Sequence, residues 1–180
     1  MIIFSYISAA LWLFLPGGAA NAVPVLASKL PGLRNWQTPL DGGKSFRGRR
    51  LLGDNKTLRG VLAGVLTGAI VAGLQHAIGT TAHLPALSLH TALIVGALMG
   101  LGALLGDAVE SFFKRQRDVR PGSGWFPFDQ IDYIIGGLLL SYPLVHPSWQ
   151  VLVSVIGAWF GIHLVTVYIC YLLGIRDHPI

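Results

Sequence analysis

The chain has 180 residues, of which 53% are apolar and 12% charged, and its mean hydropathy is +0.62. The charged share is about half that of an ordinary soluble domain, which excludes a soluble globular protein and indicates one embedded in a bilayer. The single cysteine, Cys170, excludes an internal disulfide framework.

Five apolar segments follow one another along the chain, each near the roughly 20 residues that a helix needs to cross a bilayer. We therefore predict an all-α integral membrane protein with five transmembrane helices. In the first segment, Pro16-Gly17-Gly18 predicts a bend or a break. The 23 glycines suit membrane helices, which pack closely through small residues. The segments are Ile2–Leu26, Leu58–Gly79, Leu87–Phe113, Ile131–His146 and Trp149–Leu173.

Two polar loops separate these segments, at about 28–57 and about 114–128. The first is rich in Gly and Pro and is longer than a simple connection between two helices. Loops of that length in a compact protein are usually functional or disordered. Because no internal repeat or second domain is visible, we expect one membrane-embedded domain over residues 1–180, with ordered cytoplasmic loops that fold over a site.

Basic residues are distributed unevenly between the two sides of this arrangement. Seven lie between the first two segments, an eighth is Arg59 at the start of the second, and four lie between the third and fourth, whereas the loops near Thr80–Ala86 and Pro147–Ser148 contain none. Because cytoplasmic loops carry the excess of Lys and Arg, we predict that the N-terminus is outside and the C-terminus cytoplasmic. The same bias accounts for the pI of about 9.7, so no nucleic-acid partner is expected.

Carboxylates occur where an apolar helix would meet lipid. One polar face follows positions i, i+3, i+4 and i+7 of the third segment, and an i, i+3 pair begins the fourth. Charged groups inside a membrane are costly and usually face a protein interior or an aqueous cavity, so they are functional candidates. The polar face comprises Asp107, Glu110, Ser111 and Lys114, and the pair is Asp129 and Asp132.

The composition of this cluster predicts its ligand. Carboxylate oxygens without a Cys-His cluster suit a hard cation such as Mg²⁺, which is usually shared with substrate phosphates. The neighbouring Lys and Arg residues suit phosphate oxygens. The cluster therefore predicts a metal-dependent polyphosphate site. The structural alternative is a set of buried ion pairs, Asp107 with Lys114 and Asp129 with Arg115.

Three short motifs resemble the phosphatidate cytidylyltransferase family. The run GDAVESFFKR, followed by FPFDQID, resembles that family's signature, and NKTLRG at Asn55–Gly60 is similar to its Lys-Lys-Thr-x-x-Gly motif. The Asn-Lys-Thr-x-Arg-Gly form resembles the archaeal branch, the CDP-archaeol synthases, more closely. The resemblance covers roughly residues 55–137. It departs from the bacterial pattern at Arg120-Pro121, in the GSGWFPF turn and at Asp129-Gln130.

This resemblance implies an activity and a set of site residues. The implied reaction transfers CMP from CTP to an isoprenoid diether of glycerol phosphate and releases pyrophosphate, as a step of membrane phospholipid biosynthesis. The implied enzyme is a multi-pass protein of the cell membrane whose partners are CTP, the lipid phosphate and the bilayer. Mg²⁺ is implied on Asp107, Asp129 and Asp132, which form the catalytic set together with Lys114. The implied contacts to CTP are Asn55, Lys56, Thr57, Arg59, Ser111, Arg115, Arg117 and Arg120.

Two other functions use carboxylates in a membrane. A CDP-alcohol phosphotransferase would carry a signature resembling D-G-x-x-A-R followed by G-x-x-x-D-x-x-x-D, but here Asp41-Gly42 leads to Lys44-Ser45 and no D-x-x-x-D occurs. A cation channel or carrier would need polar residues that continue to the far side of the membrane. The stretches Gly68–Gly73 and Val151–Gly157 supply almost none.

Overall fold

A computed structural model describes residues 2–79, 83–119 and 123–174. Within these ranges the chain forms five α-helices and a short antiparallel hairpin, which confirms the predicted all-α class. The hairpin pairs Ser45 with Arg50 and Phe46 with Arg49. The elements are α1 (Ile2–Ala27), β1 (Ser45–Phe46), β2 (Arg49–Arg50), α2 (Leu58–Ile78), α3 (Leu89–Gln116), α4 (Phe128–Val145) and α5 (Trp149–Leu172).

The helix ends depart from the predicted segments where charged residues begin. α3 continues to Gln116 instead of ending at Phe113, and α4 begins at Phe128 instead of Ile131. Hydropathy falls at these positions, but the backbone stays helical. Basic residues in the last turn of α3 and Asp129 in the first turn of α4 interact favourably with the helix dipoles.

α1 passes through Pro16 as one helix, so the predicted break is wrong. A proline inside a helix leaves the carbonyl four residues earlier without its hydrogen bond. That carbonyl belongs to Trp12, and the side-chain amide of Gln75 in α2 donates to it at 2.6 Å. A tertiary contact therefore replaces the hydrogen bond that the local sequence removes.

The centre of the core lies where α1 meets α3, α4 and α5. The ring of Phe14 is fully buried, with its centroid 5.9 Å from that of Tyr133 and 5.6 Å from that of Trp159. Gly17 and Gly18 leave room for this packing, because a side chain at either position would overlap a core ring. The glycines after Pro16 therefore serve packing between helices.

α3 is the central helix and packs against α1, α2 and α4. Its glycines lie on two faces, and a side chain at any of them would overlap the backbone of a neighbouring helix. Membrane helices approach closely through such small residues. One close contact, between Gly106 and the backbone of Asp132, brings the start of α4 beside the polar face of α3. Gly96 and Gly100 face α2, whereas Gly102 and Gly106 face α4.

Four of the described helices, α1, α2, α3 and α5, are long and apolar enough to cross a membrane. The remaining helix, α4, has 18 residues and carries Asp129 and Asp132 near its start. Because these carboxylates lower its hydropathy, α4 is not among those four helices. It packs closely along α3, but packing alone does not show a membrane crossing, so the fifth crossing stays a prediction.

Candidate active site

Three carboxylates meet where α3 packs against α4, and we call them the acidic group: Asp107 and Glu110 from α3, and Asp132 from α4. One oxygen from each lies within 4.8 Å of the others. The close approach of the two backbones at Gly106 makes this separation possible. Like charges at such distances repel, so the group needs positive charge beside it.

Two lysines lie against these carboxylates. Lys56 Nζ donates to Asp107 Oδ2 at 2.5 Å. Lys114 Nζ lies 2.5 Å from Asp129 Oδ1 and 3.0 Å from Glu110 Oε1. The pairs that form differ from those of the structural alternative, because Asp107 pairs with Lys56 and Asp129 pairs with Lys114.

Asp129 lies beside the acidic group. Its carboxylate faces Lys114 and also accepts the backbone N–H of Trp125 at 2.9 Å. The family resemblance implies Asp129 as a metal ligand, whereas the carboxylate that completes the group is Glu110. The signal for Glu110 was its position three residues after Asp107, on the same helical face.

The segment 39–57 folds over this end of the helices, and we call it the basic strap. Asp41 closes the strap on itself: its side chain is 2% exposed and accepts the backbone N–H groups of Gly43 and Leu52, each at 2.9 Å. Arg50 Nη2 lies 3.2 Å from the same carboxylate. Burial alone would raise the pKa of Asp41, but these hydrogen bonds and the Arg50 charge hold it below its usual value.

Hydrogen bonds join the strap to the C-terminal half of α3. The backbone N–H of Gly53 donates to Ser111 Oγ at 3.2 Å. The side-chain amide of Gln116 donates to the carbonyl of Arg50 at 3.5 Å, and Arg49 donates to the carbonyl of Gln116. These contacts place the end of the strap, with its lysine, over the acidic group.

Two of the residues predicted to contact CTP support the fold around the strap. Thr57 is buried and caps α2, because its hydroxyl accepts the backbone N–H of Gly60 at 3.2 Å. Arg59 is also buried, and its guanidinium donates to the carbonyls of Leu33 and Arg34 at 2.8 and 3.2 Å. Both side chains therefore hold the loop between α1 and α2 in place.

The other predicted contacts to CTP lie at different depths. Asn55 is exposed in the turn before α2. Arg115 is half-buried, and Arg117 is exposed with its guanidinium carbon 5.3 Å from the ring centroid of Trp125. Arg120 lies outside the described residues. Among the predicted site residues, Lys56 and Lys114 therefore form ion pairs with the acidic group, and Ser111 lies next to Glu110 on α3.

Similarity to known proteins identifies the family. A family model described as CarS-like, CDP-archaeol synthase, matches residues 3–180. The chain belongs to the CDP-archaeol synthase family. Proteins of that name from Thermococcus gammatolerans and Halobacterium salinarum are 40% and 37% identical to it over 172 and 180 residues, and each alignment covers 94% of this chain and 94% of the relative.

A solved structure described as an intramembrane enzyme for archaeal membrane lipids biosynthesis also matches. It is 33% identical with a TM-score of 0.73, and the match covers 89% of this chain and 93% of that one. Membership of the CDP-archaeol synthase family confirms the predicted CTP-dependent lipid cytidylyltransferase and the multi-pass membrane location. It does not support a CDP-alcohol phosphotransferase or a cation channel. A cytidylyltransferase of this class uses a divalent metal, and the acidic group provides carboxylates for one.

Proposed function

We propose that this member of the CDP-archaeol synthase family transfers CMP from CTP to an isoprenoid diether of glycerol phosphate and releases pyrophosphate. The proposal is carried by the acidic group with Lys56 and Lys114 beside it, at one end of the membrane helices. A site at that level can receive a nucleotide from water and a phosphate anchored to a lipid. The chain acts as one membrane-embedded domain over residues 1–180.

Mg²⁺ fits the donor set of the acidic group. Asp107, Glu110 and Asp132 offer oxygen ligands only, which suit a hard cation that is shared with substrate phosphates. These three residues would hold the ion, and Asp129 would stay beside them as the partner of Lys114. Mg²⁺ bound there supplies charge neutralisation for the triphosphate and for the departing pyrophosphate.

Both lysines change partners when CTP binds. In the structure each neutralises a carboxylate, at 2.5 Å for Lys56 with Asp107 and for Lys114 with Asp129. The acidic group would hold a cation in place of the lysine charge, so that Lys56 and Lys114 could turn to the phosphate oxygens of CTP. Lys56 then binds the triphosphate from the strap, and Lys114 stabilises the charge that develops on pyrophosphate.

The remaining contacts to CTP are proposed from the loops around the site. Ser111 is placed by its bond to the strap at Gly53. The arginines in and after the last turn of α3 would add positive charge on the nucleotide side. Thr57 and Arg59 contribute by holding the start of α2. The proposed set is Asn55, Ser111, Arg115, Arg117 and Arg120, together with Lys56.

The reaction is a single displacement at the α-phosphorus of CTP. Phosphate monoesters have a second pKa near 6, so the lipid phosphate is largely dianionic at neutral pH and can attack without a strong general base. One of its oxygens forms a bond to the α-phosphorus while the bond to the bridging oxygen of the β-phosphate breaks. Pyrophosphate leaves with that oxygen. The protein contributes by positioning both substrates and by stabilising charge.

We also propose five crossings with the N-terminus outside, since α4 packs along α3 for much of its length. The basic strap then lies in the cytoplasm, as the distribution of Lys and Arg predicts. In a background that lacks Cys170, a cysteine at Lys44 should react with an impermeant thiol reagent only from the cytoplasmic side. A cysteine at His83 should react only from outside, and reaction of both from one side would contradict this topology.

Purified protein supplied with CTP, lipid phosphate and Mg²⁺ tests the function directly. We expect equal amounts of pyrophosphate and CDP-lipid, and none in EDTA until Mg²⁺ is restored. Asp132→Asn should abolish turnover, whereas Asp118→Asn, at a carboxylate that is 69% exposed and outside the acidic group, should retain it. CDP-lipid formation by Asp132→Asn at the wild-type rate would show that the acidic group is structural.

A further inference from the structure

We propose that Asp41 is a positioning residue for cytidylyl transfer, because it holds the basic strap in the conformation that presents Lys56 to the triphosphate of CTP. The inference rests on the proposed role of Lys56 and extends it to a carboxylate outside the acidic group. Asp41 touches neither substrate. It acts through the backbone that carries the lysine.

The surroundings of Asp41 are those of a buried structural carboxylate. With 2% of its side chain exposed, it accepts two backbone N–H groups, from Gly43 and from Leu52, and faces the guanidinium of Arg50. The two N–H groups lie on opposite sides of the β1–β2 hairpin, so one side chain closes the base of the hairpin. Removing the carboxylate would leave both N–H groups without the acceptor they now have, which costs more than the loss of an exposed hydrogen bond.

A short series of backbone bonds connects Asp41 to Lys56. Leu52 is held by Asp41, and the next residue, Gly53, accepts the N–H of Lys56 on its carbonyl at 3.0 Å. From the other side, the N–H of Leu40 donates to the carbonyl of Lys56 at 2.7 Å. Leu40 directly precedes Asp41. The backbone of Lys56 is therefore bonded on one side to Gly53, which follows the residue that the Asp41 carboxylate holds. On the other side it is bonded to Leu40, which precedes Asp41 itself.

Asp54 provides a matched control within the same strap. It pairs with the same arginine, at 2.8 Å from Arg50 Nη1, but its side chain is 85% exposed. Replacing Asp54 removes the same charge and an ion pair with the same partner while leaving the base of the hairpin intact. A general effect of charge on CTP binding would appear in both variants, whereas positioning of the strap would appear only at Asp41.

The test is steady-state kinetics with CTP as the varied substrate and the lipid phosphate saturating. Asp41→Asn should raise KM for CTP by about tenfold or more and lower kcat by less than about threefold. Asp54→Asn should stay within about twofold of wild type. In a Lys56→Ala background, Asp41→Asn should raise KM for CTP by less than about a further twofold, because the lysine that Asp41 positions is already absent.

Independent effects of Asp41→Asn and Lys56→Ala, which multiply in the double variant, would overturn the inference. An unchanged KM for CTP in Lys56→Ala would refute the proposed function of Lys56 itself, which is a separate result. If Asp41→Asn does not elute as a folded protein, Asp41→Glu decides, since it keeps the charge beside Arg50 and moves the carboxylate away from the two backbone N–H groups. Asp41→Glu should raise KM for CTP in the same direction and lose that effect in Lys56→Ala, and additivity there would equally overturn the inference.

Discussion

The substitution Glu110→Gln separates the acidic group of the structure from the metal ligands that the family resemblance implies. Glu110, Asp107 and Asp132 each place one oxygen within 4.8 Å of the other two. Two carboxylate charges at that distance repel each other by about 3.5 kcal/mol at an effective dielectric constant of about 20, whereas Mg²⁺ carries two charges and would attract each carboxylate more strongly, from the shorter distance of a metal ligand. The amide keeps the shape of the side chain and removes one charge. The attraction lost therefore exceeds the repulsion relieved, and the affinity for Mg²⁺ should fall by roughly 100-fold or more, equivalent to about 3 kcal/mol.

The assay is the Mg²⁺ concentration that gives half-maximal formation of CDP-lipid at saturating CTP and lipid phosphate. Glu110→Gln should increase this concentration by roughly 100-fold, because a ligand charge is lost. Asp129→Asn should change it by less than about tenfold, equivalent to ~1.4 kcal/mol, and should instead raise KM for CTP through Lys114. Elution and thermal unfolding in detergent control for folding. The opposite order of the two Mg²⁺ shifts would refute the assignment of Glu110 and favour Asp129.

Three further outcomes follow from the strap and the proposed displacement. Lys56→Ala should raise KM for CTP by about tenfold or more, whereas Lys29→Ala, in the exposed segment after α1, should stay within about twofold; equal effects would mean that charge alone matters. CTP with a chiral α-thiophosphate should give CDP-lipid of inverted configuration at phosphorus, and retention would require a covalent nucleotidyl-enzyme. The pKa of Asp41, which faces Arg50 with Asp54 beyond it, is lowered from 3.8, so its stabilisation is complete above that value and is lost as pH falls below it. The difference in melting temperature between wild type and Asp41→Asn should thus be constant from about pH 5 to 8 and shrink only below about pH 4, and shrinkage near neutral pH would contradict this assignment.

Hydropathy and helix periodicity were sufficient to predict most of the helices and one face of the site. Both signals are local: an apolar run near the length of a membrane crossing forms a helix wherever it lies, and residues three and four apart share a face. The five predicted segments therefore match the five helices closely, and Asp107 and Lys114 lie on one side of α3 as expected. The cap at Thr57 also depends only on neighbouring residues.

Contacts between segments that are distant in the sequence determined which carboxylates and lysines meet in the site. Glu110 and Asp129 have equal standing in the sequence, and the crossing of α3 and α4 at Gly106 decides which of them joins Asp132. The partner of Asp107 is Lys56, which lies 51 positions away in the chain, and no spacing rule connects the two. Pairing of charges at a helix crossing depends on backbone approach, which periodicity along one helix does not encode.

Contacts with distant residues also explain why α1 continues past Pro16 and how the basic strap is ordered. Pro16 predicts a bend or a break because it removes a local hydrogen bond, yet α1 continues without a break because Gln75 of another helix supplies a donor to Trp12. In the strap, the sequence predicts an ordered loop without showing what orders it, and the buried carboxylate of Asp41 organises that loop around backbone N–H groups from both sides of a hairpin. Local propensity sets what a segment can form by itself, and partners brought close by the tertiary fold decide which hydrogen bonds and charges are satisfied.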